Sequence, residues 1–294
     1  MAKNIIFILT EGDHDSAFIY RILQANGMTT NHKTAIKDYP IPLNELIKSG
    51  ISDTPIEELN MEVARSKFLP SYIMQKDDNF VTIYRVGSDS KEKIRTDFIK
   101  SVNALNVSDP DAIQTLTETQ ISILFFFDAD DKGVGHRIEQ IKKELKLSFP
   151  KSEEENIDKL ANKEIFLVED INVGGFIFTK PDNDNGLLED ILIPLMKQGN
   201  DDIFDSAEKF LEIHENTELF KGKVEYDPTV TIKKKISGKK YSQKKSLIGT
   251  VGQLQMSGKS NTVCISDADY LNDAKIKSDV TCAEIYTFIQ KILK

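Results

Sequence analysis

The sequence has 294 residues, of which 39% are hydrophobic and 29% are charged. This composition predicts a soluble globular protein with enough apolar residues for one large domain or two smaller ones. The apolar runs are too short to cross a membrane, and Met1-Ala2-Lys3 leads directly into a predicted strand rather than a signal peptide, so we expect no membrane contact and a cytoplasmic location. The two cysteines lie in separate segments, which argues against a CxxC zinc site and gives no reason to expect a disulfide framework.

The net charge of −9 conceals an uneven distribution of charge. Residues 219–294 contain 14 lysines and 7 acids, so the acids are concentrated in the first three quarters of the chain. Lysine is densest in Lys233–Lys245. Such a run can neutralise the phosphates of a nucleic acid, although a solvated surface loop explains it equally well. The candidate nucleic-acid contacts are Lys233, Lys234, Lys235, Lys239 and Lys240.

In chain order, the first apolar run is Ile5–Leu9, which predicts a strand. Apolar residues at helical spacing predict a helix over His14–Ala25. Glu11 lies in the turn between these two elements, and Asp15 lies in the first turn of the helix. Acids at a helix start also serve as caps, so Asp15 has a purely structural alternative.

The segment from residue 31 to residue 79 has no clear periodicity and contains four prolines. We interpret it as an insertion over the sheet, with a role as lid, partner surface or packing left open. A strand over Phe80–Val86 and a helix over Lys91–Leu105 follow it.

The stretch Ile121–Gly133 joins the strongest predicted strand to a cluster of acids. Its apolar run includes three consecutive phenylalanines and suits a buried central strand that ends at Asp128. Ligands of open α/β sheets bind beyond the carboxyl ends of the strands, where Asp128 and Asp130 can together bind a hard cation. Glu11 follows the first strand in the same way, so we expect one shared metal site, whereas Asp131 is better explained as a cap.

A helix over Val134–Leu147 and a strand over Ile165–Val168 continue the alternation of strands and helices. This rhythm predicts an α/β fold with a mostly parallel, Rossmann-like sheet and flanking helices. Beyond residue 180 the pattern changes to helices, the last over Cys282–Leu293. We therefore predict an α/β domain over residues 1–180 and a mostly helical C-terminal extension over residues 181–294.

Two motifs of this sequence resemble those of the TOPRIM domain. They are Glu11-Gly12, after the first strand, and Asp128-Ala129-Asp130, after a later strand. This α/β module occurs in topoisomerases, bacterial primases and several families of nucleases. The resemblance covers about residues 1–180, interrupted by the insertion, and implies that Glu11, Asp128 and Asp130 hold Mg²⁺ or Mn²⁺. Among TOPRIM proteins, the chain looks most like small stand-alone bacterial members related to the overcoming-lysogenisation-defect (OLD) family of nucleases.

The resemblance to OLD nucleases implies further site residues. Asp15 matches an additional acid of the first motif, and Glu189, with Asp190 beside it, matches a later acid. Acids in the first turn of a helix are an equally good explanation of that later pair. A downstream lysine of the pattern matches Lys244 or Lys245. No ATPase half is attached, so a motor or sensor would be a separate partner protein.

These features predict a metal-dependent nuclease acting on DNA or RNA, with phage defence or nucleic-acid processing as its setting. Glu11 would complete the metal shell or act as general base, and Asp15 and Glu189 would recruit a second ion. Lys244 or Lys245 would offer a positive charge to the phosphate. The main alternative is a non-catalytic TOPRIM-like subunit that binds nucleic acid or a partner, and a small phosphatase is a weaker one. The sequence leaves homo-oligomerisation open.

Overall fold

The structure is a computed structural model that describes residues 3–41, 43–52, 69–106, 119–214, 224–225, 234–235 and 242–293. Its strands are β1 (Lys3–Thr10), β2 (Thr29–Thr30), β3 (Tyr72–Lys76), β4 (Asn79–Arg85), β5 (Thr119–Asp128), β6 (Ile165–Val168), β7 (Ile171–Phe178), β8 (Val224–Glu225) and β9 (Lys234–Lys235). Its helices are α1 (Asp13–Ala25), α2 (Leu43–Ser52), α3 (Glu92–Asn106), α4 (Gly133–Lys146), α5 (Glu154–Ile157), α6 (Glu189–Lys197), α7 (Asp201–His214), α8 (Gln243–Gln255), α9 (Asn261–Asp267), α10 (Asp273–Ser278) and α11 (Val280–Gln290).

Seven strands form one mixed sheet in the order β2-β3-β4-β1-β5-β7-β6. The four inner strands β4, β1, β5 and β7 are parallel, and the strands at both edges are antiparallel to their neighbours. The inner strands are buried along most of their length because helices cover both faces of the sheet. The predicted α/β fold with a mostly parallel sheet is confirmed.

One interpretation of the sequence was wrong in part. Residues 31–79 are not simply an insertion over the sheet, because they supply helix α2 and the sheet strand β3, which pairs with β4. Only two of the five side chains of β3 are buried, so the strand lacks the alternating pattern that reveals a strand in a sequence. Asp77, at a φ of +52°, makes the tight turn into β4, a conformation that Asp tolerates better than most residues.

The two faces of the sheet carry separate hydrophobic cores. Side chains alternate along the strands, so Ile6 and Ile8 of β1 face one core while Ile5 and Phe7 face the other. The first core holds α1 and the helices that follow residue 180, and Phe288 of α11 packs against the phenylalanines of β5 and β7. The second core holds α2, α3 and α4. Within the described ranges, no helix has the length and apolar character needed to cross a membrane.

Candidate active site

A cavity of about 630 Å³ opens at the carboxyl ends of β1, β4 and β5. Because β1 and β5 are parallel neighbours, with Thr10 opposite Phe126, the residues that follow both strands leave the sheet at the same edge. Helices α6 and α8 add side chains from the C-terminal part of the chain. The polar side chains that line the cavity include Glu11, His14, Asp15, Asp128, Glu189 and Lys245.

Asp15 and Asp128 both line the cavity, and the carboxyl group of each is hydrogen-bonded to the backbone. Asp15 Oδ2 accepts a hydrogen bond from the Gly12 N–H at 2.7 Å, so Asp15 is both a helix cap and a cavity residue. Asp128 Oδ1 accepts one from the Leu188 N–H, also at 2.7 Å. Burial raises the pKa of Asp15 to about 8 and that of Asp128 to about 9, and neighbouring acids add to both shifts. Among the described residues, no lysine or arginine forms an ion pair with either acid.

Glu11 and Asp130 are both engaged by Arg137, a buried arginine of α4. Arg137 Nη2 lies 3.0 Å from Glu11 Oε1 and donates a hydrogen bond of 2.7 Å to Asp130 Oδ2. One nitrogen thus bridges the two acids, although Asp130 lies beside the cavity rather than in its lining. Burial raises the pKa of Glu11 to about 7, against the opposing charge of Arg137. Arg137 was not predicted as a site residue, and its one signal in the sequence is its place in the helix that follows the acid cluster.

Glu189 also lines the cavity and lies between two basic side chains. Its Oε1 is 3.1 Å from His14 Nδ1 and 3.6 Å from Lys245 Nζ. Burial acts to raise the pKa of Glu189, but the hydrogen bond with His14 and the charge of Lys245 outweigh it and leave the pKa lowered. The neighbouring Lys244 instead pairs with Asp190. The sequence alone did not distinguish Lys244 from Lys245 as the site lysine. In the structure, Lys245 lines the cavity and Lys244 does not.

A second buried arginine supports the wall of the cavity formed by Gly87 and Ser88. Arg95 donates hydrogen bonds to the carbonyl oxygens of Gly87 at 2.8 Å and Ser88 at 2.7 Å. Its guanidinium also pairs with Glu144 of α4, and both side chains are almost fully buried. This support was not predicted, because a sequence does not show which carbonyl groups an arginine will meet.

The divalent cation that the TOPRIM resemblance implies fits the donors of this cavity. Carboxylate oxygens are the ligands that Mg²⁺ prefers, and five carboxylates among the described residues line the cavity. Glu11 Oε1 is buried and accepts no hydrogen bond from the described residues, and its contact with Arg137 Nη2 at 3.0 Å is an ion pair. Within the described residues, no three acidic, histidine or cysteine side chains are drawn together closely enough to chelate a metal as they stand. The fit therefore rests on the chemistry of the donors.

The lysine run lies mostly outside the described residues, which leave out Lys233, Lys239 and Lys240. Lys234 and Lys235 form the short strand β9, which pairs with β8. A role of this run in binding phosphates stays a prediction.

No curated protein sequence matches this chain. The fold is similar to the crystal structure of a hypothetical protein from Pyrococcus horikoshii OT3, with a TM-score of 0.46 and 13% sequence identity over 98% of this chain and 95% of that chain. A family model described as a protein of unknown function, DUF3226, matches residues 6–281. The chain therefore belongs to this family, DUF3226.

Proposed function

We propose that the protein is a divalent-metal-dependent nuclease that hydrolyses phosphodiester bonds of nucleic acids in the cavity at the ends of β1, β4 and β5. The observation that carries this proposal is the convergence of acids from three distant segments on one cavity that also contains a lysine. Hydrolysis of a phosphodiester needs charge neutralisation at the phosphate and a base for the attacking water, and this set of side chains offers both.

Each side chain has a role that follows from its surroundings. Asp15 and Asp128 would hold the cation, since among the described residues the carboxyl group of each accepts hydrogen bonds only from backbone N–H groups. When bound, a divalent cation supplies a Lewis acid that polarises a phosphoryl oxygen. Glu11, with a pKa raised to about 7, is suited to take a proton from the attacking water near neutral pH. Lys245 offers a positive charge to the phosphate as the ester bond breaks and the leaving oxygen gains a proton.

The surroundings of the cavity are consistent with an anionic polymer as substrate. Arg85 and Lys91 line the cavity in addition to Lys245. The lysine run Lys233–Lys245 would extend these contacts to neighbouring phosphates of DNA or RNA. We place the activity in the cytoplasm, which the two free, buried cysteines support, and in phage defence, with any ATPase or sensor as a separate protein.

Cleavage assays test the proposal. Labelled single- and double-stranded DNA and RNA are incubated with Mg²⁺ or Mn²⁺ and with wild-type, Glu11→Ala, Asp128→Ala or Asp131→Ala protein. Asp131 is the matched control, because it is an exposed acid of the same cluster outside the lining of the cavity. The wild type and Asp131→Ala should cleave, and the other two variants should lose about 10²-fold or more of the activity. Activity that survives both substitutions would remove the proposed site.

A non-catalytic subunit that binds nucleic acid or a partner protein is the second candidate. It is favoured by the contacts of Arg137, whose guanidinium pairs with both Glu11 and Asp130. This candidate predicts that nucleic-acid binding survives the loss of both Asp128 and Asp130. It also predicts that the wild type cleaves no substrate with either metal.

A further inference from the structure

Three acids from three strand ends meet at the guanidinium of Arg137. Glu11 follows β1, Asp89 lies on the loop after β4, and Asp130 follows β5. Arg137 Nη2 contacts Glu11 at 3.0 Å and Asp130 at 2.7 Å, and Arg137 Nη1 pairs with Asp89. Several carboxylates around one positive charge are typical of a metal site. Here the positive charge is the guanidinium of Arg137.

The guanidinium is fixed in this place by further contacts. Arg137 Nε donates to the carbonyl oxygen of Asp128 at 2.9 Å, and Nη1 donates to Gln140 at 2.8 Å. The guanidinium carbon lies 5.8 Å from the centre of the Phe127 ring, and only 3% of the side chain is exposed. Because an arginine stays protonated at any ordinary pH, this positive charge is permanent. A metal ion between Glu11 and Asp130 would have to displace a buried and multiply bonded group.

The acids on the other side of the cavity differ in their partners. Glu189 is engaged by His14 and Lys245. Asp15 and Asp128 receive hydrogen bonds from backbone N–H groups, and no lysine or arginine in the part of the chain that the structure describes forms an ion pair with either. Among the described acids of the cavity, Asp15 and Asp128 are therefore the two left for a divalent cation to pair with.

Building on the proposed nuclease function, we infer that Arg137 is a positioning residue that takes the place of a second metal ion. Its guanidinium holds Glu11 and Asp130, so that the site binds one divalent cation, at Asp15 and Asp128. Asp130, the second aspartate of the DxD motif, is then a partner of Arg137 rather than a metal ligand. A second metal ion would supply positive charge between these carboxylates, and the fixed guanidinium of Arg137 supplies such charge without being recruited from solution.

The test is the number of Mn²⁺ ions bound per chain, measured by equilibrium dialysis and electron paramagnetic resonance on the metal-free full-length protein. The wild type should bind one ion and Arg137→Lys, which keeps the charge, should also bind one. Arg137→Met should bind two, because Glu11 and Asp130 lose their cation. Arg85→Met is the matched control with one ion, since Arg85 lines the same cavity but pairs with Asp13. One ion in a folded Arg137→Met protein would overturn the inference.

A second pair of variants serves if Arg137→Met does not fold. With Arg137 in place, Asp130→Asn should keep the wild-type Mn²⁺ affinity, whereas Asp128→Asn should weaken it by about tenfold or more. Equal losses in the two variants would overturn the inference. If an active wild type binds two ions, the inference about Arg137 is overturned but the proposed nuclease function is not. If the wild type binds no Mn²⁺ and cleaves nothing, the proposed function is overturned as well.

Discussion

Asp128 at the end of β5 accepts a hydrogen bond of 2.7 Å from the N–H of Leu188, the residue that precedes α6. This contact joins the strand of the DxD motif to the helix that carries Glu189. Asp130 and Gly186 exchange two further backbone hydrogen bonds, of 2.8 and 3.0 Å. The segment before α6 is therefore held against β5, and the cavity is complete only when both parts of the chain are in place.

The first prediction concerns Gly186, which makes this junction possible. Its φ is +147°, and a Cβ atom would lie 2.3 Å from the Lys180 nitrogen, so Gly186→Ala should cost about 1–3 kcal/mol in the free energy of unfolding and should reduce cleavage by displacing Glu189. Urea denaturation measures the cost. Gly199→Ala is the control, because Gly199 also has a positive φ but has open space around it. Equal costs for the two variants would show that the close approach at Gly186 is unimportant.

The second prediction distinguishes two adjacent lysines. Lys245→Ala should lower the rate of cleavage by about 10²-fold, because it removes a positive charge from the cavity. Lys244→Ala should leave the rate close to that of the wild type, since Lys244 pairs with Asp190 instead. Single-turnover cleavage at saturating Mg²⁺ compares them. The reverse order of effects would mean that Lys244 is the lysine that acts on the phosphate.

The third prediction is a dependence of stability on pH in the absence of metal. Folding raises the pKa of Asp15 to about 8 and of Asp128 to about 9, so the folded chain binds more protons than the unfolded chain. The contribution of these two acids to the free energy of unfolding is therefore greatest below their unfolded pKa of about 4. This contribution is lost as the pH rises through their folded pKa values. In EDTA, the Tm should fall between about pH 5 and pH 9, and Mn²⁺ should restore it.

Asp128→Asn removes one of these ionisable groups and should raise the Tm of the metal-free protein. The gain should grow with pH and exceed about 1 kcal/mol near pH 8, or roughly 2–4 °C. Mn²⁺ should stabilise this variant less than the wild type. Asp131→Asn, at an exposed site, serves as control and should follow the wild-type curve. If the metal-free wild type becomes more stable as the pH rises, the raised pKa values of Asp15 and Asp128 are contradicted.

Much of the fold could be predicted from the sequence, because β1 and β5 are continuous apolar runs, and the helices α1 and α4 have apolar residues at helical spacing. The strand β3 was missed because it lies at one side of the sheet, buries only two side chains and follows a segment rich in proline. Its place depends on pairing with β4, which is a tertiary contact. Local patterns do not record such contacts.

The site was predictable to a similar extent. Glu11 and Asp128 could be found because acids that end neighbouring apolar runs must lie at one edge of a parallel sheet. The choice of Lys245 over Lys244 depends on the rotation of α8 about its axis, which its weakly amphipathic sequence does not fix. Arg137 could not be assigned, because a long side chain on a helix reaches partners on other elements that spacing alone does not reveal.

The fourth prediction concerns the buried pair of Arg95 and Glu144. Arg95→Met would leave Glu144 charged, buried and unpaired, and should cost about 3–5 kcal/mol in the free energy of unfolding. Lys93→Met, which breaks an exposed pair with Asp97 on the same helix, should cost at most about 0.5 kcal/mol. The double variant Arg95→Met, Glu144→Leu should recover much of the loss. Equal costs for the two single variants would show that the buried pair does not support the wall at Gly87.

The position of Mn²⁺ in crystals of the full-length protein, located by its anomalous scattering, decides whether the cavity is the metal site. The proposed site predicts one peak at about 2–2.6 Å from carboxyl oxygens of both Asp15 and Asp128, with Arg137 still between Glu11 and Asp130. No peak in the cavity, or a peak between Glu11 and Asp130 with Arg137 displaced, would contradict it.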